Sequence, residues 1–228
     1  MCGRYSLTTP VEAVGRLFEV AERPNLPPRY NIAPSQQAPV VRADAAGGRV
    51  LAPMRWGLIP SWAKEAKIGT RMINARAETV AEKPAFRSAF RHRRCLVPAD
   101  GFYEWRKLGA TKQPYRITRA DGAPFAFAGL WERWRAPDGA TIDSFTIITT
   151  AANELLRPIH DRMPVILDPA DHGPWLDTDG VAPAEAARRL LPYADAKLAA
   201  IPVSTRVNSP KNDDPACIAP LEGDAAAV

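Results

Sequence analysis

The sequence predicts a single α+β domain, in which antiparallel strands curve into a barrel-like core and short helices pack outside. Strand-like runs follow one another around Asp121-Gly122 and Asp138-Gly139, as in an antiparallel meander. The 23 prolines among 228 residues favour short elements and shaped loops over long helices. A chain of this length can bury one sizeable core, so we expect one domain over residues 1–228, with 223–228 as a frayed tail.

The N-terminal part of the chain alternates loops with short regular elements. Thr9-Pro10-Val11-Glu12 fits a capping box with proline at the first helical position, and Val14, Leu17 and Phe18 give the following helix an apolar face. Breaker residues and apolar alternation predict the next elements in order: an irregular loop over 22–36, a hairpin of 38–42 and 49–54, a loop over 55–62 and an extended run over 71–78.

The rest of the chain is predicted to be mostly strand. Phe86 and Phe90 precede the run Arg91-His92-Arg93-Arg94, which suits a helix with cations at its negative C-terminal end, and a solvated face is favoured over a nucleic-acid patch. Strands are predicted over 95–98, 101–105, 115–118, 125–134, 144–150 and 165–167, with a short helix from 153, a surface helix over 183–191 and strand or loop over 204–208.

Composition narrows the class of protein. The formal net charge of +5 makes a polyanionic partner plausible without requiring one. Cys2, Cys95 and Cys217 form neither a disulfide framework nor a metal-binding pattern, and no run is long and apolar enough to span a bilayer. We therefore expect a reduced, cytoplasmic protein with no metal, no cofactor and no membrane partner.

Cys2 is the first candidate for chemistry. Initiator methionine is usually removed before a small residue, and an N-terminal cysteine would then carry an amine whose pKa of about 7.7–8.0 leaves part of it neutral. That amine can attack an aldehyde, and the thiol can close a five-membered thiazolidine ring on the Schiff base. Two other interpretations stay open at this stage: Cys2 is a small buried residue, or it is the nucleophile of an N-terminal-nucleophile amidotransferase.

Glu104 and His160 are candidates for proton transfer. Glu104 lies among aromatics, where burial would raise its pKa toward neutrality, although alternation alone slightly favours a solvent-facing side chain. His160 precedes Asp161 and Arg162 in a proline-bounded turn, and a lone histidine is more often structural than catalytic.

Asn74, Arg76 and Trp62 are candidates for binding. Asn74 and Arg76 share one face if their segment is a strand, which suits holding an amine and a phosphate but also an ordinary exposed surface. Trp62 could stack on nucleobases or pack in the core.

Seven segments together resemble the SRAP family, the SOS-response-associated peptidase-like proteins that process abasic sites in DNA. Each segment is weak alone, but all seven occur in the family's order across nearly the whole chain. They are Met1-Cys2-Gly3-Arg4-Tyr5, Arg29-Tyr30-Asn31-Ile32-Ala33-Pro34, Arg55-Trp56-Gly57-Leu58-Ile59-Pro60, Ile73-Asn74-Ala75-Arg76-Ala77-Glu78-Thr79, Pro98-Ala99-Asp100-Gly101-Phe102-Tyr103-Glu104-Trp105, His160-Asp161-Arg162-Met163-Pro164 and Val207-Asn208.

The resemblance implies a protein that binds single-stranded DNA and crosslinks itself to the aldehyde of an abasic site through Cys2. It implies Asn74 as the residue that positions the amine, and Glu104 and His160 as the groups that shuttle protons. Contacts with DNA are implied for Arg4, Pro34, Trp62, Arg76 and Arg162. Where some relatives carry paired tryptophans this chain has Trp62-Ala63, so its grip on the neighbouring bases differs.

Further expectations follow from this resemblance. Cations near the site would lower the pKa of the Cys2 thiol. Slow ring closure would allow strand cleavage by β-elimination, and the peptidase activity in the family name would amount to removal of residues ahead of Cys2. We expect a monomer that is nucleoid-associated when bound to DNA. The alternatives are an N-terminal-nucleophile amidohydrolase and a non-catalytic single-stranded-DNA-binding module.

Overall fold

The computed structural model describes residues 2–21 and 24–221, and the predicted frayed tail over 223–228 lies outside them. The described residues form short helices and thirteen strands. The helices are α1 (Val11–Phe18), α2 (Arg87–His92), α3 (Pro169–Leu176) and α4 (Pro183–Ala187). The strands are β1 (Tyr5–Leu7), β2 (Arg29–Ile32), β3 (Gln37–Ala43), β4 (Arg49–Trp56), β5 (Asn74–Arg76), β6 (Arg94–Ala99), β7 (Gly101–Leu108), β8 (Thr111–Arg119), β9 (Phe125–Arg135), β10 (Thr141–Ala151), β11 (Arg162–Pro164), β12 (Ile166–Leu167) and β13 (Leu198–Pro202).

Five strands close into a barrel in the order β10-β4-β3-β6-β9. The ring closes because β9 pairs with β10 as well as with β6. Strands β5, β11 and β12 extend this sheet, and a second, antiparallel sheet has the order β13-β8-β7-β1-β2. The predicted barrel-like α+β fold with short peripheral helices is therefore confirmed. Two pairings of the barrel sheet are parallel, because β10 runs parallel to both β4 and β5.

Aromatic side chains join the two sheets in one core. Tyr5 of β1 meets Trp56 of β4 and Phe127 of β9 edge to face, with ring centroids 5.2 and 5.8 Å apart. Phe102 of β7 meets the same Phe127 at 5.9 Å. Each such pair stabilises by about 0.5–1.5 kcal/mol beyond the area it buries. The N-terminal strand is thus packed directly against the barrel.

The predicted meander is divided between the two sheets. The hairpins β3–β4, β7–β8 and β9–β10 form with regular antiparallel register. However, the chain leaves the barrel after β6, forms β7 and β8 in the second sheet and returns to the barrel as β9. Sequence alternation located the strands without revealing this exchange, because residues facing either sheet's core follow the same period of two.

Several local predictions need correction, among them the loop over 22–36, which contains β2. Helix α1 begins at Val11 after Pro10, and Thr9 does not cap it, because the Thr9 hydroxyl contacts Asp100 instead. Hydrogen-bonded turns, not a helix, follow Asn153. The predicted loop over 55–62 starts two residues later, since β4 extends to Trp56, and residues 205–208 form a 3₁₀ turn.

Arg94 does not lie on a solvated helix face. It starts β6, is 1% exposed and donates to the carbonyls of Trp175, Asp177 and Val181 at 2.6, 2.6 and 3.0 Å. A buried guanidinium needs such partners, because leaving its donors unpaired would cost several kcal/mol. The basic run is therefore split, with Arg91 exposed and Arg94 holding the end of α3 and the following turn.

Asp100 lies at the corner where β6 passes into β7, and its carboxylate binds the start of the chain. It accepts hydrogen bonds from the Ser6 and Thr8 hydroxyls at 2.7 and 2.8 Å, from the Thr9 amide at 2.9 Å and from Arg116 at 3.0 Å. Burial alone would raise the pKa of Asp100, but these hydrogen bonds lower it below its ordinary value. The carboxylate thereby fixes β1 against β7.

We expect Asp100→Asn to destabilise the protein by about 3 kcal/mol near neutral pH, because it leaves the partly buried Arg116 and several donors poorly matched. A carboxyl whose pKa is lowered by folding stabilises above its unfolded pKa of about 4 and loses that contribution as pH falls through its folded value. The difference between wild type and variant should therefore shrink in acid.

Urea unfolding at pH 7 and pH 3 measures this difference. Asp121→Asn is the matched control, because Asp121 pairs with Arg119 on the surface and should leave stability unchanged. Equal stability of wild type and Asp100→Asn at pH 7 would contradict the assigned role.

Candidate active site

Cys2 lies just before β1 and is completely buried. The Asn74 side-chain amide donates to the Cys2 carbonyl at 2.9 Å. Asn74 reaches this position because β5 is aligned by β10, with Asn74 opposite Ile147. The Asn74 Oδ1 is buried and has no hydrogen-bond partner among the described residues, so an acceptor stands beside the Cys2 backbone.

Glu104 faces the interior of the protein. Phe102 and Glu104 share one face of β7, whereas Tyr103 packs on the opposite face in a separate apolar cluster. Glu104 is only 3% exposed, which corrects the solvent-facing orientation favoured by alternation alone. Burial raises the pKa of Glu104 to about 7. The carboxyl can therefore give or accept a proton near neutral pH.

The Cys2 thiol is kept protonated by its surroundings. Burial raises its pKa, and the negative charge of nearby Glu104 raises it further. The expectation that neighbouring cations lower this pKa is wrong, because burial is the largest influence on it and raises it. The thiol donates weakly to the Arg4 carbonyl, with sulfur and oxygen 3.9 Å apart.

His160 lies at the turn that leads into β11, and its side chain is partly exposed. Its Nδ1 accepts the Arg162 backbone amide at 3.0 Å, which favours the neutral tautomer with a proton on Nε2. Asp161 Oδ1 lies 2.9 Å from the same nitrogen and favours protonation. Burial has the larger effect and lowers the pKa of His160 from its ordinary value, despite the opposing charge of Asp161. The imidazole is therefore neutral at physiological pH.

Arg4 is anchored by its own chain. Its guanidinium donates to Asn31 Oδ1 at 3.0 Å and to the carbonyls of Val207 and Asn208 at 2.8 and 3.1 Å. Asn31 in turn donates to three carbonyls of the C-terminal segment, including that of Asn212 at 2.8 Å. The segment that carries Cys2 is thus tied to the C-terminal segment through Arg4 and Asn31. In the sequence alone, both look like surface polar residues.

Arg162 and Arg76 differ in how readily their guanidinium groups can contact an anionic ligand. Arg162 forms a bidentate pair with Glu78, at 2.6 and 2.9 Å, and also donates to the Thr149 carbonyl. Arg76, on the same strand face as Asn74, is exposed. Arg76 can therefore meet a phosphate directly, whereas Arg162 would have to exchange Glu78 for one.

Pro34 and Trp62 differ in exposure. Pro34 follows β2 and is partly buried, and the next residue, Ser35, has a positive φ of 72°. Trp62 is 59% exposed, which excludes core packing for this side chain. The backbone beside it is fixed, since Trp134 Nε1 donates to the Ala63 carbonyl at 2.7 Å.

Sequence reasoning did not assign roles to Asn31, Glu78 or Asp100. Each is a polar residue inside one of the seven motif segments, and that placement was the available signal. Each has a hydrogen-bond partner far along the chain, 176 residues away for Asn31, 84 for Glu78 and 94 for Asp100, and only the folded chain reveals these pairs. Among the residues that the structure describes, no cluster of three or more His, Cys, Asp or Glu side chains could hold a metal ion.

The family model described as SOS response associated peptidase (SRAP) matches residues 1–210. The chain belongs to the SRAP family. It is 45% identical over 222 residues to the abasic site processing protein YoqW of Bacillus subtilis, across 96% of this chain and 99% of that protein. It is 35% identical over 272 residues to the mouse abasic site processing protein HMCES, across 97% of this chain and 76% of that protein.

Solved structures share the fold of this SRAP chain. A crystal structure of a Bacteroides thetaiotaomicron protein matches with a TM-score of 0.87 at 29% identity, covering 96% of this chain and all of that one. A Bordetella bronchiseptica protein matches with a TM-score of 0.78 at 32% identity, covering 89% of this chain and 100% of that one. Within the described part of the SRAP chain, no helix is long and apolar enough to cross a membrane.

We expect the stability of Glu104→Gln relative to wild type to be greater at pH 8 than at pH 5. Between about pH 4 and pH 7 the folded state keeps a proton that the unfolded state has lost, so wild-type stability falls as pH rises through this window. The glutamine does not titrate, so the free energy of unfolding of the variant minus that of wild type should increase by about 2–4 kcal/mol from pH 5 to pH 8.

Urea unfolding of both proteins at pH 5 and pH 8 checks this expectation. Glu154→Gln serves as the control, because the Glu154 side chain is 72% exposed and the difference from wild type should be the same at both pH values. A pH-independent difference for Glu104→Gln would show that Glu104 is ionised in the folded protein.

Proposed function

We propose that this protein processes abasic sites in single-stranded DNA by forming a covalent thiazolidine crosslink through Cys2, once Met1 has been removed. The observation that carries the proposal is the convergence of Cys2, Asn74 and Glu104. The Asn74 amide binds the Cys2 carbonyl, and the Glu104 charge is close enough to raise the pKa of the Cys2 thiol. Relatives of the same length and family are named abasic site processing proteins.

The first chemical step joins the Cys2 amine to the ring-opened sugar aldehyde. A C–N bond forms to give a carbinolamine, and loss of water gives the Schiff base. The Glu104 carboxylate takes the proton released by the ammonium, and the carboxylic acid returns a proton to the departing hydroxyl. A pKa of about 7 lets the same group serve in both directions. The unpartnered Asn74 Oδ1 can accept from the amine and hold it toward the aldehyde.

The second step closes the ring. The Cys2 sulfur bonds to the imine carbon while its proton moves to the nitrogen, so the thiazolidine forms without a further leaving group. Burial keeps this sulfur as the thiol, and the reaction needs a base at the moment of attack. Glu104 is close enough to serve, and neutral His160 is a second proton carrier at the mouth of the site.

DNA binding is proposed to rest on exposed groups around this centre. Arg76 presents an exposed cation on the face that carries Asn74, and the exposed Trp62 offers a ring on which a base can stack. We propose that Arg162 exchanges its Glu78 partner for a phosphate, that Pro34 contacts the strand, and that Arg4 acts chiefly as the anchor of β1. All of these groups lie on one chain, so a monomer suffices.

Two further activities belong to the same proposal. The Schiff base makes the sugar prone to β-elimination, so slow ring closure would give strand cleavage. Peptide-bond cleavage ahead of Cys2 would account for the peptidase in the family name. Free thiols at Cys2, Cys95 and Cys217 suit a reducing cytoplasm.

The proposal predicts a covalent band on a denaturing gel when the protein is mixed with single-stranded DNA that contains one abasic site. Cys2→Ala should abolish the band, and an intact oligonucleotide should give none. Cys2→Ala and Cys2→Ser both keep the N-terminal amine without the thiol, so either variant should give a band only after borohydride reduction of the Schiff base. Cys95→Ala, which removes another buried thiol, should crosslink like wild type.

A band from Cys2→Ala without borohydride would remove the Cys2 thiol from the chemistry. If no band forms although mass spectrometry shows Cys2 at the N-terminus, the crosslink proposal fails and amide hydrolysis is the activity to assay next.

The rate of crosslinking should depend on the protonation of Glu104. In wild type we expect the rate to fall below about pH 7, because the carboxylate form accepts the amine proton. Glu104→Gln should be about 100-fold slower, and its remaining pH dependence should follow the amine, near pH 8. Single-turnover gels at saturating DNA from pH 5.5 to 9 measure both curves, and Glu154→Gln should overlay wild type. An unchanged profile in Glu104→Gln would exclude Glu104 from proton transfer.

A further inference from the structure

The β7–β8 hairpin extends beyond the sheet that it belongs to. Strand β1 pairs with β7 only at Gly101 and Phe102, and β13 pairs with β8 from Tyr115 to Arg119. The ladder between β7 and β8 nevertheless continues to Leu108 and Thr111. Residues 106–113 therefore form a two-stranded ribbon that no ladder flanks on either side.

The ribbon carries only positive charge. Arg106, Lys107 and Lys112 lie on it, and residues 105–120 contain no aspartate or glutamate. No ion pair to these three cations occurs among the described residues. By contrast, Arg29, Arg116, Arg119 and Arg206 each pair with an aspartate. Lys107 and Lys112 are direct register partners. Like charges placed opposite each other destabilise a hairpin, so the free protein gains nothing from this arrangement.

The ribbon also continues from the active site. Glu104 and Arg106 are two residues apart and share one face of β7, which places their α-carbons about 7 Å apart. Leu108 follows on the same face at the tip and is 49% exposed. A strand whose abasic sugar reaches Glu104 would therefore pass the Arg106 side chain first, whereas Lys107 and its register partner Lys112 extend from the opposite face of the ribbon.

We infer that the β7–β8 hairpin is a second phosphate-binding surface, which holds the DNA strand on the Glu104 side of the abasic nucleotide. The inference rests on the proposed function for the location of the DNA. A phosphate backbone offers the regular negative charge that Arg106, Lys107 and Lys112 lack within the protein. Lysines on an unflanked ribbon also discourage edge-to-edge aggregation, and the experiment separates this role from DNA binding.

The test is the binding of fluorescent single-stranded DNA without any lesion, measured by anisotropy at several salt concentrations. Arg106→Gln/Lys107→Gln/Lys112→Gln should lower the slope of log affinity against log salt by about 2, since each phosphate contact contributes about 0.7. At 0.1 M salt the affinity should fall at least 5-fold, and up to about 100-fold. The rate of crosslinking at saturating abasic DNA should stay unchanged.

Arg16→Gln/Arg87→Gln/Arg91→Gln is the matched control. It removes the same charge from exposed positions on α1 and α2 and should leave the salt slope near that of wild type. A hairpin variant with the wild-type slope, or a control variant with an equal loss, would overturn the inference. Lys112→Gln alone, with an expected loss of about 0.7 in slope, serves if the triple variant does not fold.

Failure of this inference can be told from failure of the proposed function. Anisotropy on intact DNA needs no covalent step, so a changed slope supports the surface even if no crosslink forms. Conversely, a covalent band with an unchanged slope keeps the chemistry and removes the hairpin from DNA binding.

Discussion

The buried carboxylate of Asp100 is the constraint on which the rest of the site depends. It stands where the chain passes from the barrel into the second sheet, and it binds donors from Ser6 to Thr9 while pairing with Arg116. A short strand at the start of a chain gains little from its own ladder and would otherwise fray. Fixing β1 at one end, while Arg4 fixes it at the other, holds Cys2 in place beside Glu104.

Desolvation then sets the chemistry of the site. The same removal of water raises the pKa of Glu104 to about 7 and raises that of the Cys2 thiol, because both groups are negatively charged when they lose a proton. It lowers the pKa of His160, whose protonated form is the charged one. At physiological pH the Cys2 thiol and the His160 imidazole are thereby neutral, and Glu104 is divided between its two protonation states, which suits proton exchange and protects a resting thiol.

The arginines show how little a basic composition says about binding. Arg4 and Arg94 are used inside the protein to hold backbone carbonyls, and Arg162 is neutralised by Glu78. Arg76 is exposed, and no ion pair to the three cations of the β7–β8 hairpin occurs among the described residues. Because a guanidinium has five donors in a fixed fork, it is as well suited to capping carbonyls as to binding phosphate.

The sequence by itself determined the barrel-like class, most strand positions, the SRAP resemblance and the presence of Cys2, Asn74, Glu104 and His160, since local alternation, turn residues and motif order are written along the chain. Only the tertiary structure decided that Glu104 faces inward, that the Cys2 thiol is held protonated, and that Arg4 anchors β1. Burial and long-range hydrogen bonds decide those properties. Both depend on which of the two sheets a strand joins. Strands of either sheet show the same alternation of apolar and polar residues, so the sequence pattern does not distinguish the two sheets.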